Sequence, residues 1–108
     1  MTNDVADTPS DGSRDAVRLA EADRRGRYSL PLGDGTEAEL TFSRDADGDM
    51  VIGHTFTPPR HRGQGIALRL VERAVADAAA SERKIVPLCP YVAAELRRHP
   101  EWNSLTKR

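Results

Sequence analysis

Arg60-His61-Arg62-Gly63-Gln64-Gly65-Ile66-Ala67 sets two arginines and a histidine beside two glycines, just after an apolar extended run and just before a helical one. A strand that feeds a helix through such a turn leaves the first helical N–H groups unpaired and pointing at one spot, backed by the positive end of the helix dipole. Gly63 and Gly65 carry no Cβ, so a diphosphate can approach the backbone, while Arg60 and Arg62 supply charge at the rim. The pattern predicts a phosphate cradle. It is not a P-loop, because Gly63 is followed by Gln64 and Gly65 rather than by Gly-Lys-Ser/Thr. A dinucleotide fingerprint fits poorly too, since Leu68 stands where a third small residue belongs and the chain is short for a doubly wound sheet.

Other reactive side chains are few. Cys89 lies between an apolar run and the Pro90 that opens a helix, and a helix start favours a thiolate; the alternative is a buried, inert thiol. Strict alternation puts His54 on the face of Met50, Ile52 and Phe56, in or near the core. Tyr91 begins the last helix. His61 falls in the anion loop, either to touch phosphate when protonated or as a plain exposed loop residue, while His99 and Trp102 read as structural. The three histidines lack metal-ligand spacing and the cysteine has no partner, so no metal is expected.

The elements that position these groups follow from periodicity. Residues 1–15 are rich in Asp, Thr, Ser, Pro and Gly and read as a disordered acidic tail ahead of one domain over 16–108. Ala16 to Glu21 suggests a fraying helical turn. From Arg27 the period is two: Tyr28, Leu30 and Leu32, then Ala38, Leu40 and Phe42, then Met50 to Phe56, with turns at Gly33–Gly35 and Asp45–Gly48. This predicts a three-stranded antiparallel meander, with Pro31 marking the first strand as an edge. Gly53, inside the third run, suggests a bulge or a close approach by a ligand. A helix from about Gly63 to Ala80 carries Ile66, Ala67, Leu70, Val71, Ala74, Val75 and Ala78 on one stripe. Its charged face reads as solvated, with Arg73 and Asp77 paired and Arg69 a secondary candidate for a phosphate contact. A crossover then leads to a parallel strand, Ile85 to Cys89, and to a second helix, Tyr91 to about Arg98.

Composition excludes several classes. The formal net charge of -1 gives no global field for nucleic acid, and aromatics for base stacking are scarce. No stretch reaches membrane-spanning length, and the single cysteine fits a reducing compartment, so a cytoplasmic protein without membrane partners is expected.

Arg-x-x-Gly-x-Gly at 60–65, with His54-Thr55, Pro58-Pro59, Val86-Pro87-Leu88-Cys89-Pro90-Tyr91-Val92, Arg98-His99-Pro100 and Trp102, resembles a compact family of GNAT-like N-acetyltransferases over roughly residues 26 to 103. The resemblance implies a minimal α/β GNAT-like fold: the meander, a helical crossover to a parallel strand, and a C-terminal helix. It implies acetyl-CoA or CoA held by Thr55, Phe56 and Thr57 on a bulged strand and by residues 60–67, Gln64 included, with the pantetheine in a wedge beside the splayed parallel strand. Cys89, His54 and Tyr91 become the catalytic candidates: a nucleophile or assisting group, a base, and an acid for the departing thiolate. Many members carry a glutamate where this chain has Phe56. The implied activity is acetyl transfer to a primary amine of unspecified identity by a monomer or weak homodimer; the alternative is a CoA-binding module with little or no turnover.

Overall fold

The computed structural model describes residues 16–107; the expected tail over 1–15 lies outside them. The elements run β1 (Arg18–Ala22), β2 (Arg25–Pro31), β3 (Glu37–Arg44), β4 (Met50–Phe56), α1 (Ile66–Ala80), β5 (Ile85–Pro87) and α2 (Pro90–Arg98), with short 3-10 turns at Pro59–His61 and Pro100–Leu105. The sheet order is β1-β2-β3-β4-β5. Its first four strands are antiparallel and β5 runs parallel to β4, as a helical crossover requires. This is the expected α/β arrangement, enlarged by one strand.

That strand corrects the helical reading of Ala16 to Glu21. Ala22 pairs with Arg25, so only Asp23 and Arg24 form the loop, both at positive φ (55° and 65°). A two-residue hairpin loop needs that geometry, and once closed it commits the preceding residues to a strand. β2 is therefore interior, against expectation. Pro31 is tolerated because β1 pairs only as far as Ser29, leaving the end of β2 open on that side.

The core lies between one sheet face and the helices. Tyr28, Leu30, Ala38, Leu40, Met50 and Ile52 are fully buried against Leu70, Val71, Ala74 and Ala78 of α1 and Val92 of α2. Gly26 faces Phe42 across the β2–β3 ladder, and the Phe42 ring occupies the space where a Cβ would stand, 2.1 Å from Cζ. The charged face of α1 is less solvated than expected. Asp77 accepts hydrogen bonds from Arg73 Nε (3.1 Å) and from the buried Tyr28 hydroxyl (2.7 Å), while Arg73 also donates to the Val17 carbonyl, tying α1 to β2.

Beyond β5 the chain returns to the sheet. Thr106 bridges Ile85 in parallel, and the Lys107 N–H donates to the Ile85 carbonyl at 2.8 Å. The Lys107 ammonium sits among three carboxylates of the β3–β4 turn, at 2.9 Å from Asp45, 3.0 Å from Asp47 and 2.8 Å from Asp49. Among the described residues no helix is long and apolar enough to cross a membrane.

Candidate functional site

The site begins with a register change. Phe42 pairs with Ile52 but its neighbour Thr41 pairs with His54, so Gly53 is an extra residue in β4. Side chains alternate along a strand, and one inserted residue reverses the alternation beyond it. Thr55, opposite buried Leu40, turns to the core face; His54 and Phe56, opposite Thr41 and Glu39, turn outward. The expectation of a core-facing His54 is therefore wrong. Its side chain is 53% exposed, because the bulge intervenes between it and Ile52.

The parallel partner leaves at the same level. β4 and β5 pair only at Met50–Ile85, Val51–Val86 and Ile52–Pro87. Pro87 has no N–H to continue the ladder, and the N–H groups of Leu88 and Cys89 both turn back to the Ile52 carbonyl, each at 3.0 Å. The strand read as Ile85 to Cys89 thus ends at Pro87. Beyond Ile52 the β5-facing edge of β4 has no strand beside it among the described residues, which leaves its alternate N–H and C=O groups open there.

A cleft of about 420 Å³ lies along that open edge, lined by Thr55, Phe56, Thr57, His61, Arg62, Gly63, Gly65, Ile66, Ala67 and Tyr91. Its far wall is the start of α1. Gly65 is the N-cap, at φ 75° and ψ 14°, and no side chain caps the helix, so the first N–H groups are left to whatever occupies the cleft. Gly63 is also left-handed, at φ 82°, and a Cβ at either glycine would meet nothing within 4 Å. The two glycines therefore serve backbone conformation and leave the mouth open.

The rim is held by an acid from another hairpin. Asp34, in the β2–β3 turn, accepts from His61 Nε2 at 2.8 Å and from Thr36, with Arg60 Nη1 at 3.5 Å. Hydrogen bonds from the Thr36 hydroxyl and then His61 hold its carboxyl well below the usual range. Arg62 folds back over the loop, donating to the Thr57 carbonyl at 2.9 Å, with its guanidinium 5.9 Å from the Phe56 ring centroid.

Cys89 is the N-cap of α2 and is buried; its Sγ lies 3.6 Å from Thr55 Oγ1. Tyr91, the second residue of the same helix, lines the cleft. Burial, then the charge of Glu95 and a hydrogen bond to it, push the Tyr91 hydroxyl up to about 12. On the outer sheet face His54 Nε2 lies 3.1 Å from Glu39 Oε2, and the other Glu39 oxygen accepts from Arg27 Nε at 2.7 Å. The Arg27 guanidinium is the main reason the Glu39 carboxyl lies below its ordinary value. An ionised carboxylate only accepts, so the shared proton belongs to Nε2 and Nδ1 of the neutral ring is left as an acceptor.

A strand opened by a bulge, a parallel partner that parts from it, and a glycine-rich helix start between them now stand together. Residues 27–105 match the family described as GCN5-related N-acetyl-transferase. The chain belongs to this family.

Within this GCN5-related domain the structure gathers most, not all, of the residues expected at the site. Thr55, Phe56, Thr57, His61, Arg62, Gly63, Gly65, Ile66, Ala67 and Tyr91 share the cleft. Arg60 and Gln64 do not line it: Arg60 turns toward Asp34 and Gln64 is exposed. Cys89 stands behind Thr55, outside the lining, and His54 is on the far sheet face. Of the two readings of His61 the exposed loop residue is excluded, since its side chain is only 17% exposed and bound to Asp34. His99 stacks on Trp102 with centroids 4.1 Å apart. Sequence reasoning missed Asp34, Glu39 and Glu95. Asp34 and Glu39 are polar positions of a hairpin, and only strand register brings them to the site; Glu95, at i+4 from Tyr91 on α2, was within reach of helical spacing.

Proposed function

We propose that this acetyltransferase-family domain binds acetyl-CoA in the cleft between β4 and α1 and directs its acetyl group to a primary amine. The observation that carries the reading is the uncapped start of α1, reached through two left-handed glycines and continuous with the open edge of β4. The donor set suits the cofactor: helix N–H groups with Arg62 beside them for the diphosphate, and the β4 edge at Thr55–Thr57 for the amides of the pantetheine arm. Acetyl-CoA supplies an acetyl group activated as a thioester.

The chain's residues would divide the rest of the chemistry. Backbone N–H groups near Thr55–Thr57 polarise the thioester carbonyl, and Thr55, held by Cys89, fixes that edge. His54, oriented by Glu39, takes a proton from the attacking nitrogen at Nδ1. Tyr91, protonated at neutral pH, offers its proton to the sulfur. The balance is simple: an N–C bond forms and the C–S bond breaks. An ammonium acceptor gives up two protons, of which one ends on the thiol and one goes to solvent.

Glu39 bears on the departure at Phe56. The two residues are direct cross-strand partners. Directly paired side chains lie about 5 Å apart at Cβ, so a carboxylate from β3 supplies the charge that the resemblance places at position 56. Phe56 itself favours a second reading, a CoA-binding module with little turnover.

Titration with CoA and acetyl-CoA, followed by thiol release across an amine screen, tests the proposal. Binding with amine-dependent thiol release is the expected result. Binding without release for any amine leaves the module, and failure to bind either ligand overturns both.

A further inference from the structure

Among the described residues no helix covers the outer face of the sheet, and beside the parting of β4 and β5 it holds a groove of about 440 Å³ lined by Arg25, Thr41, Ser43, Val51, Gly53 and Leu88. Gly53 and Leu88 stand at the point where the strands separate, which is also where Thr55 and Cys89 meet on the other face. The groove and the cleft therefore open on opposite sides of one gap. Its walls are hydroxyls and apolar groups, and Leu88 is 66% exposed there with no hydrophobic cover.

Two arginines of β2 point to this face, and they differ. Arg27 is engaged by Glu37 at 2.9 Å and Glu39 at 2.7 Å. Arg25, at the groove, has no ion-pair or hydrogen-bond partner for its guanidinium among the described residues. Among the described residues no carboxylate lines this groove. An unpaired guanidinium at one end of such a site favours an anion there. β2 is two strand spacings from β4, roughly 10 Å, and an arginine side chain covers more than half of that.

We infer that the groove is the acceptor site, and that it takes a small primary amine bearing an anionic group four or five bonds from the nitrogen. The amine enters at Gly53 and Leu88, one residue from the Glu39–His54 pair, and the anion is bound by Arg25 with Thr41 and Ser43. A carboxylate and a phosphate satisfy Arg25 by the same chemistry. The inference rests on the acetyltransferase reading for the fate of the amine and not for its binding.

Binding is therefore measured separately from turnover. The full chain, with and without CoA, is titrated with 4-aminobutanoate, 2-aminoethyl phosphate and the uncharged 4-aminobutanamide, and backbone amide NMR shifts are followed. The expected result is saturable shifts on Thr41–Ser43 and Val51–Gly53 for at least one anionic amine, at least tenfold weaker for the amide. The preferred anion identifies the source. Arg25→Gln abolishes the preference and Arg25→Glu reverses it, while CoA affinity is unchanged in both, which also reports an intact fold. Equal affinity for charged and uncharged amines, shifts elsewhere, persistence in Arg25→Glu, or no groove shifts with any of the three overturns the inference. Groove binding in a chain that fails to bind CoA would overturn the acetyltransferase reading instead.

Discussion

Thr55 Oγ1 and Cys89 Sγ lie 3.6 Å apart across the gap where two parallel neighbours separate, one on a strand edge and the other capping a helix. The contact exists because Gly53 has turned Thr55 inward and Pro87 has released the following residues from the ladder. The thiol reaches the cleft only through the threonine. That arrangement suits a positioning role for Cys89 better than a covalent one.

Cys89→Ala is accordingly expected to lower kcat several-fold and leave the Kd for CoA unchanged. Intact mass after incubation with acetyl-CoA should show no acetyl adduct on the native chain. A stable adduct that disappears in Cys89→Ala would show the thiol to be a nucleophile and refute direct transfer.

His54→Ala removes the proposed base and should reduce kcat by about a hundredfold, with unaltered CoA affinity. Glu39→Gln should give a smaller loss in the same direction. A His54→Ala variant with native turnover would send the search for a base elsewhere.

Gly65→Ala forces a side chain into a left-handed conformation at a cost of about 1–2 kcal/mol, visible as a lower denaturation midpoint. Because a Cβ there meets nothing, the alanine should disturb CoA binding less than Gly65→Glu, which adds a negative charge where phosphate is expected. Calorimetry should find the glutamate variant weaker by roughly tenfold or more; equal affinity would remove the diphosphate from this loop.

Gly26→Ala drives a methyl group into the Phe42 ring and should cost about 1–3 kcal/mol. Phe42→Leu made in the same chain should recover part of that loss. Urea midpoints at constant m would measure both steps, and an additive double mutant would mean that the ring is not the obstacle.

The Lys107 clamp has a pH signature. Its ammonium holds Asp45 and Asp49 below their ordinary values, and Asp49, Asp45 and Asp47 raise Lys107. Depressed carboxyls contribute stability above their unfolded value of about 3.9, lost as pH falls through the folded values. The raised amine contributes fully below about 10.4 and is lost as pH rises through its folded value. The difference in urea midpoint between native chain and Lys107→Met should therefore stay flat from about pH 5 to pH 9 and close below about pH 4. A difference that persists in acid would make the clamp apolar packing by the lysine stem.

Much of this was legible in the letters. The stripe of α1 and the alternation of β3 gave those elements directly, and the glycines before Ile66 gave the cleft, because local spacing dictates both. β1 was not legible: its tendency toward a strand arises from the Asp23–Arg24 turn, and neither residue advertises positive φ as glycine would. His54 failed for a related reason. Gly53 was suspected of a bulge, yet the consequence for every side chain beyond it requires counting partners on β3. Asp34 and Glu39 lay deeper still, since what they touch is set by pairing across hairpins.

At Gly53 a Cβ meets only open space and φ is not left-handed, so the backbone there depends on the number of residues and not on the kind. A codon exchanged at this position changes one side chain. A codon lost would set His54 directly after Ile52, and strict alternation would keep His54 outward and Thr55 on the core face while erasing the bulge. The surplus residue thus serves the bend and the interrupted ladder at the point where β5 leaves its neighbour.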